Sequence, residues 1–464
     1  MYFSSLLFLF LYLPIALGGY YILPRKCRNF FLLVVNMIFY GWGEPVFILI
    51  MIVSIMVNYI FAILIEKYRD NKGLSKLFLI IASIISLGLL GAFKYLGFLT
   101  DILRALPIFS AMPKITLALP IGISFYTFQT LSYTIDVYRN DVPAQKNIVD
   151  FGTYVSFFPQ LIAGPIVRYK DVAEQLENRR ETVEKFALGI RRFTVGLAKK
   201  VLIANQMGLL WDTLKASDGI GTSGTWIGLA AFSMQIYFDF SGYSDMAIGL
   251  GRMFGFEFIE NFNYPYISKS ITEFWRRWHI SLSSWFRDYV YIPLGGNRCS
   301  VPRHIFNLFV VWALTGLWHG AAYNFILWGI YYFVLLVLEK YVYGKALSRL
   351  PSLIQHIYAL FFIMVGWAIF SFDDMGMLAD FICGMFGRKY GVMSADALST
   401  VISYIPLLAV AAAACLPVWN NIYRNIRDKK LTALVETALI CAVLILCTAA
   451  LVNDSYNPFL YFRF

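Results

Sequence analysis

The sequence predicts an all-α, polytopic integral membrane protein with roughly 11–12 transmembrane helices. Of its 464 residues, 59% are hydrophobic and only 14% are charged, whereas soluble domains carry about 25% charged residues. Apolar stretches long enough to cross a bilayer also recur along the chain. The composition excludes a disordered chain, a coiled coil and a disulfide-rich secreted domain.

Stretches of about 20 mostly apolar residues predict the clearest membrane crossings. They lie near residues 3–23, 45–65, 77–99, 225–250, 324–343, 399–417 and 431–452. Weaker candidates lie near residues 29–43, 115–135, 186–217, 305–320 and 357–372. The first stretch has no basic region before it and no cleavage site after it, so we expect a retained span rather than a signal peptide.

The basic residues form short clusters between the apolar stretches, and the formal net charge is +11. Such clusters mark the cytoplasmic side of a membrane protein, and counting spans from them places both termini outside. No long basic stripe that would follow a nucleic acid is present. We therefore expect membrane lipid, and no nucleic acid, as a partner.

Residues 150–300 do not follow the pattern of simple spans. Phe157–Pro159 and Ala163–Pro165 interrupt an apolar run, as in a re-entrant segment, and residues 269–303 are amphipathic. Irregular backbone at membrane depth occurs only beside protein or a cavity, so this part of the chain is expected to line one. The lack of an internal repeat weakens the alternative of an inverted-repeat transporter.

One candidate histidine, His279, follows a helix start signal. Ser270 opens a Ser-x-x-Glu capping box, which predicts a helix beginning there. Trp275, Trp278, His279 and Leu282 have the 3, 4, 7 spacing of one helical face, which would point His279 toward membrane or core. Two interpretations stay open from spacing alone, a hydrogen-bonded core histidine on an interfacial helix and a functional imidazole.

A second histidine, His319, lies in a glycine-rich apolar stretch. Gly316 and Gly320 form a small-xxx-small pair, which allows another helix backbone to approach. An ionisable residue at membrane depth is a functional candidate, and imidazole, with an ordinary pKa of about 6.5, is the usual general base near neutral pH. The alternative is a histidine that only packs between helices.

Two carboxylates, Asp239 and Asp245, lie within another apolar segment. They are six residues apart, so on a regular helix they would face different directions, and Gly242 between them suggests a local break. They are candidates to orient a histidine or to hold Arg252. A purely structural network is the alternative.

Several familiar catalytic patterns are missing from the sequence. It has no His-Glu-x-x-His pair and no two histidines at i and i+4, so no metal is expected. Gly249-x-Gly251 stops short of a dinucleotide fingerprint, and neither a phosphate-binding Gly-x-x-x-x-Gly-Lys loop nor a Gly-x-Ser-x-Gly nucleophile elbow is present. We therefore expect no bound cofactor.

A series of motifs resembles the membrane-bound O-acyltransferase superfamily, in the branch of the alginate O-acetyltransferase and the D-alanyl transferase of teichoic acids. The resemblance covers about residues 120–320, with weaker similarity elsewhere, including residues 457–464. The motifs are FPQLIAGP at 158–165, DFSGYSD at 239–245, NFNYPY at 261–266, FWRRWHISL at 274–282, FRDYVYIPLGG at 286–296 and LTGLWHG at 314–320.

The resemblance implies that His319 is the catalytic base and that His279 is a second catalytic histidine. It also implies a single membrane-embedded domain around a central tunnel, with N-terminal spans at 1–115, a catalytic core at 116–345 and C-terminal spans at 346–464. The candidate substrate-binding residues are Trp275, Arg276, Arg277, Trp278, Asp239, Asp245, Arg287, Asp288 and Trp318.

The resemblance further implies a donor, an acceptor and a partner. An acyl group, most simply acetyl, would pass from a cytoplasmic thioester toward hydroxyls of an extracytoplasmic polysaccharide. The thioester would be acetyl-CoA or an acylated carrier protein. A separate extracytoplasmic SGNH-hydrolase-like acyltransferase with a Ser-His-Asp site would complete the transfer, and Tyr461 is a candidate acyl relay. The candidate residues Arg276, Arg277 and Arg287 could bind the phosphates of coenzyme A. They equally fit the positive-inside rule for cytoplasmic loops. The expected location is the bacterial cytoplasmic membrane.

Two other functions compete with O-acetylation. D-alanyl transfer to teichoic acid fits the same branch, although the Trp-Arg-Arg-Trp-His and Pro-Leu-Gly-Gly segments favour O-acetylation. A transporter or flippase would line a conduit with the same polar residues and form no bond. It predicts that His319→Ala leaves thioester consumption unchanged.

Overall fold

A computed structural model describes residues 2–217, 219–388, 391–418, 430–453 and 459–460. Regular secondary structure within these residues is helical, as the sequence predicts. Short π-helices span Phe8–Tyr12, Lys199–Ala204, Arg287–Tyr291 and Glu339–Tyr343, and 3-10 turns span Pro107–Phe109 and Pro265–Ile267. The α-helices are α1 (Leu13–Ile22), α2 (Arg25–Gly43), α3 (Ile48–Lys67), α4 (Lys72–Arg104), α5 (Ile123–Arg139), α6 (Ile148–Ser156), α7 (Phe158–Leu161), α8 (Tyr169–Asn178), α9 (Val183–Ala198), α10 (Asn205–Lys215), α11 (Gly221–Met253), α12 (Ile271–Arg277), α13 (Ile280–Phe286), α14 (Val301–His319), α15 (Tyr323–Leu338), α16 (Gly344–Leu347), α17 (Ser352–Ser371), α18 (Met375–Met385), α19 (Ala395–Ala414) and α20 (Lys430–Asn453).

Six helical segments in the described residues are long and apolar enough to cross a membrane. Only 11–39% of each apolar window is buried within the protein, so the rest of that surface suits lipid. The protein is therefore multi-pass and embedded in a membrane. Further predicted crossings fall on shorter or more polar helices such as α5, α11 and α14, and they stay predictions. The six segments are Ile48–Lys67, Lys72–Arg104, Tyr323–Leu347, Ser352–Ser371, Ala395–Ala414 and Leu434–Asn453.

The first of two compact units comprises the residues up to Phe193 together with Ser244–Ile259. Its α5 is almost wholly buried, and buried polar groups tie it to α3 and α4. Thr134 Oγ1 donates to Asn58 Oδ1 at 2.8 Å, and Asn58 Nδ2 donates to Ser86 Oγ at 3.1 Å. Because lipid offers no hydrogen bonds, polar groups at membrane depth must satisfy one another.

The interruption predicted at Phe157–Pro159 and Ala163–Pro165 is present in this unit. Helix α6 ends at Ser156 and α7 is a single turn. Residues 162–168 are irregular apart from their turns, and residues 162–167 are buried. Side chains donate hydrogen bonds to two backbone carbonyls in this buried region. Gln160 Nε2 donates to Tyr154 O at 2.6 Å, and Tyr154 OH donates to Val167 O at 2.9 Å.

The second unit comprises Thr194–Tyr243 and the described residues from Glu260 onward. Its helices α14 and α15 pack closely at two glycines, Gly316 and Gly329. A Cβ added to Gly329 would lie 2.6 Å from the Trp312 carbonyl oxygen, and one added to Gly316 would collide with the Phe325 carbonyl. The close approach predicted at Gly316 is confirmed.

The predicted single helical face through His279 is wrong, although the helix does start at the predicted cap, where Ser270 Oγ accepts from Glu273 N at 3.0 Å. Helix α12 ends at Arg277, His279 is left-handed with φ of 46°, and α13 restarts at Ile280. Asn261 stabilises the break, because its carbonyl accepts from Ile280 N at 3.0 Å. Trp275, Trp278, His279 and Leu282 therefore do not lie on one continuous helix.

The predicted break at Gly242 is also wrong, because α11 runs unbroken through this residue. The glycine serves packing instead, since a Cβ there would lie 2.8 Å from the Gly196 carbonyl oxygen. On the continuous helix, Asp239 and Asp245 have different partners, as their spacing predicts.

Candidate active site

A small cavity in the second unit brings His319 and Asp239 together. Its volume is about 30 Å³, which is room for about two water molecules. The other lining residues are apolar or aromatic: Ile236, Phe240, Trp278, Trp328, Trp367, Phe370 and Leu460.

His319 is the last residue of α14 and is 9% exposed. Gly320 follows it, and a Cβ there would collide with the Phe325 ring, so a larger residue would displace that ring. Aromatic rings surround the imidazole, with centroid distances of 5.0 Å to Trp328 and 5.3 Å to Phe370. These rings keep bulk water away, which favours reaction of the imidazole with a bound substrate.

Asp239 forms a buried ion pair with Lys200, with Nζ 2.5 Å from Oδ1. Its second oxygen, Oδ2, accepts from the backbone N–H of Leu460 at 2.7 Å. The ring of Phe459 lies 4.8 Å from Lys200 Nζ. A buried carboxylate is costly unless it is paired and hydrogen-bonded, and here both conditions are met. Through these contacts the Asp239–Lys200 pair holds Phe459 and Leu460 in position, and Leu460 lines the cavity.

His279 is not among the residues that line the cavity, and it lies outside the six apolar spans. The Trp318 ring lies 5.8 Å from the His279 ring and 5.1 Å from the His319 ring. Asn261 Oδ1 accepts from both Ser281 N and Ser281 Oγ, so it also accepts from Nδ1–H of His279 at 3.1 Å. The lone pair is therefore on Nε2.

Burial lowers the pKa of His279 to about 3. The ring is therefore neutral near pH 7, with its tautomer set by Asn261. This arrangement suits a residue that accepts a hydrogen bond through Nε2.

A carboxylate from the segment after α15 anchors helix α12. Glu339 accepts from the N–H groups of Ile271 at 2.8 Å and Thr272 at 2.9 Å. Helix N-termini favour such negative charges. Because Trp278 directly follows α12, this anchor holds one wall of the cavity in place. Trp275, on the same helix, packs against other rings near the cavity.

The basic candidates lie away from the cavity wall. Arg276 and Arg287 are exposed, and Arg287 Nε contacts Asp288 Oδ1 at 2.7 Å. Arg277 is bound to Glu273 on the same helix at 2.9 Å.

Two further candidates are not among the cavity residues. Asp245 belongs to the first unit and pairs with Arg192 at 2.7 Å, and Tyr461 lies outside the described residues. Within the part of the chain that the structure describes, no group of three or more His, Cys, Asp or Glu side chains is arranged to hold a metal.

Sequence reasoning missed Lys200 and most of the aromatic wall. Lys200 had a signal, because a lysine in the apolar stretch 186–217 requires a partner at membrane depth. Trp328, Trp367 and Phe370 had none, since α15 and α17 are apolar almost all round and their periodicity selects no face.

Comparison with known proteins agrees with the sequence motifs and with this helical architecture. Residues 143–373 match the model of the MBOAT, membrane-bound O-acyltransferase family. A protein of Pseudomonas aeruginosa named "Probable alginate O-acetylase AlgI" is 45% identical over 378 residues, which cover 81% of this chain and 73% of that protein. A protein of the same name from Pseudomonas putida is 39% identical over the full length of both chains.

A peptidoglycan O-acetyltransferase of Helicobacter pylori is 32% identical over 83% of this chain and 80% of its own length. The region that the family model matches, residues 143–373, contains His279, His319 and their motifs. The chain belongs to the membrane-bound O-acyltransferase family.

Proposed function

We propose that the protein transfers an acetyl group from a thioester to a hydroxyl group, with His319 as the general base. One observation carries this proposal: His319 lines a small, largely aromatic cavity of about 30 Å³. Because one water molecule needs about 10–15 Å³ of such space, the cavity fits two or three heavy atoms. A group as small as acetyl suits this space.

The chemistry needs one base and good positioning. The neutral imidazole of His319 takes the proton of the acceptor hydroxyl while the hydroxyl oxygen attacks the thioester carbonyl carbon. The carbon–sulfur bond then breaks, and the imidazolium returns its proton to the thiolate. The products are an O-acetyl ester and a free thiol. Holding the thioester carbonyl and the hydroxyl beside the imidazole lowers the barrier by orienting the two reacting groups.

Acetyl-CoA is the donor that we propose, with an acetylated carrier protein as the alternative. The exposed side chain of Arg276 supports this choice, because arginine binds phosphate oxygens through paired hydrogen bonds. Phosphate groups are present in both donors, so the support extends to the class of donor.

The proposed acceptor is an extracytoplasmic polysaccharide, reached through a separate acyltransferase partner with a Ser-His-Asp site. The names of the bacterial relatives support a polysaccharide acceptor, since they refer to alginate and to peptidoglycan. We place the protein in the bacterial cytoplasmic membrane, where a cytoplasmic donor and an exported acceptor lie on opposite sides.

The first test measures free thiol released from acetyl-CoA by the purified, detergent-solubilised protein. We expect His319→Ala to lower the rate at least about 100-fold, the usual contribution of a general base. His356→Asn is the matched control, because His356 lies outside the cavity and contacts the Ser268 carbonyl. It should retain the rate.

The same assay is repeated with an acetylated carrier protein and with the partner acyltransferase present. Thiol release that is equal in wild type and His319→Ala would contradict the role of His319. No release under any of these conditions would favour a transporter.

A further inference from the structure

Three buried hydrogen-bond donors next to the cavity have no partner in the described structure. They are the indole Nε1 atoms of Trp275 and Trp328 and the hydroxyl of Tyr332. Their rings form one cluster, with the Trp328 centroid 5.4 Å from that of Trp275 and 5.1 Å from that of Tyr332. Buried donors without acceptors are rare in proteins and unfavourable in a membrane interior. Such a cluster suits a ligand that supplies an acceptor.

Trp328 is the member of this cluster that lines the cavity with His319. It is 1% exposed, and its ring lies 5.0 Å from the imidazole in an edge-to-face arrangement. The close packing of α14 against α15 at Gly329, the residue after Trp328, fixes this geometry. A rigid donor beside the base is what stabilisation of a transition state requires.

We propose that Trp328 is a catalytic residue whose indole N–H binds the carbonyl oxygen of the acyl donor during transfer. This inference rests on the proposed acyl transfer. When the acceptor oxygen attacks the carbonyl carbon, the electron pair of the carbon–oxygen π bond moves to that oxygen. The tetrahedral intermediate then re-forms the carbonyl and expels the thiolate.

The indole suits this role for a chemical reason. It is a donor only, and its proton stays on nitrogen throughout the reaction. It therefore stabilises the oxyanion without competing with His319 for the proton of the hydroxyl. Trp275 and Tyr332 add two further donors around the same ring cluster.

The test compares Trp328→Phe with Trp367→Phe in the thiol-release assay. Both tryptophans line the cavity, and both substitutions remove the same ring atoms. The indole N–H of Trp367 already donates to Tyr266 OH at 3.1 Å, so only Trp328→Phe removes an uncommitted donor. We expect Trp328→Phe to lower kcat about 100-fold, as for loss of one oxyanion donor, with KM changed only a few-fold. Trp367→Phe should lower kcat less than about tenfold.

A second variant separates hydrogen bonding from packing. Replacing Trp328 with 3-benzothienylalanine keeps the bicyclic ring and substitutes sulfur for the N–H group. We expect the same loss of kcat with an unchanged unfolding temperature. Full activity of this variant, or equal losses in the Trp328→Phe and Trp367→Phe proteins, would overturn the inference.

His319→Ala, measured in parallel, distinguishes the two levels of the argument. If it is inactive while the Trp328 variants behave like wild type, the acyl transfer stands and the role of Trp328 fails. If wild type and His319→Ala release thiol equally, or wild type releases none from acetyl-CoA or an acetylated carrier, both fail.

Discussion

At the scale of single residues, the Asp239–Lys200 pair shows how this chain keeps charges in a buried site. The side chains are 4% and 3% exposed, respectively, so neither charge is hydrated by bulk water. Each therefore depends on the other, and the backbone N–H of Leu460 satisfies the remaining carboxylate oxygen. Removing one partner leaves an uncompensated charge, whereas removing both leaves none.

We expect Lys200→Met to destabilise the protein by about 3–5 kcal/mol, because it leaves the Asp239 carboxylate buried and unpaired. The double variant Lys200→Met with Asp239→Leu should recover most of that loss. Thermal unfolding in detergent, compared among wild type, both single variants and the double variant, measures the coupling. A double variant no more stable than Lys200→Met would show that the pair contributes no mutual stabilisation.

At the scale of elements, the packing of α14 on α15 places His319 beside Trp328. The approach depends on the absence of a side chain at Gly329, which faces the Trp312 carbonyl oxygen. Helix α12 depends in a similar way on Glu339, whose carboxylate binds two of its first N–H groups. In each case a contact with the backbone of a helix, made outside the cavity, sets the position of a site residue.

We expect Gly329→Ala to destabilise the protein by about 1–3 kcal/mol, because its methyl group overpacks the contact between α14 and α15. Thiol release should fall with it, since His319 and Trp328 lie on the two separated helices. Gly88→Ala is the matched control: Gly88 is also helical, and a Cβ there meets nothing within 4 Å. Alanine should stabilise that helix by about 0.5–1 kcal/mol. Thermal unfolding measures both variants. Equal changes in stability at the two glycines would refute the importance of the close approach.

At the scale of the whole molecule, the apolar spans leave most of their surface outside the protein core. The window in α20 is 11% buried, and Cys441 in this window is exposed. Cys27 is also exposed, but it lies between the basic residues Lys26 and Arg28. Lipid is therefore the expected neighbour of Cys441 and cytoplasmic water that of Cys27.

We expect a water-soluble, membrane-impermeant maleimide to distinguish these two cysteines in chains that retain one of them. Cys27 should react in inside-out vesicles but not in intact cells, since its basic neighbours predict a cytoplasmic location. Cys441 should react in neither until detergent removes the bilayer. Mass spectrometry of the labelled protein gives the readout. Reaction of Cys441 in sealed membranes would contradict a lipid-facing α20, and reaction of Cys27 in intact cells would invert the proposed topology.

Local sequence patterns predicted the fold class of this protein and its family. Composition and apolar run length predicted an all-helical membrane protein, since a bilayer demands those runs wherever they lie in the fold. Short-range spacing predicted the helix cap at Ser270 and the close helix approach at Gly316. The series of motifs identified His319 as the candidate base. Periodicity failed at Trp278 and His279, because Asn261, which precedes α12, accepts from the N–H groups of Ile280 and Ser281 and so stabilises the break between α12 and α13.

The sequence alone determined the membrane class, the family and the candidate base, because each is encoded in residue types or spacings within a few helical turns. The folded molecule decided what surrounds that base. Asp239 and Leu460 are 221 residues apart and bind directly, and the aromatic wall comes from helices whose own patterns single out no face. Contacts of this kind depend on which helices pack together, and packing is decided by the shapes of distant surfaces rather than by any local period.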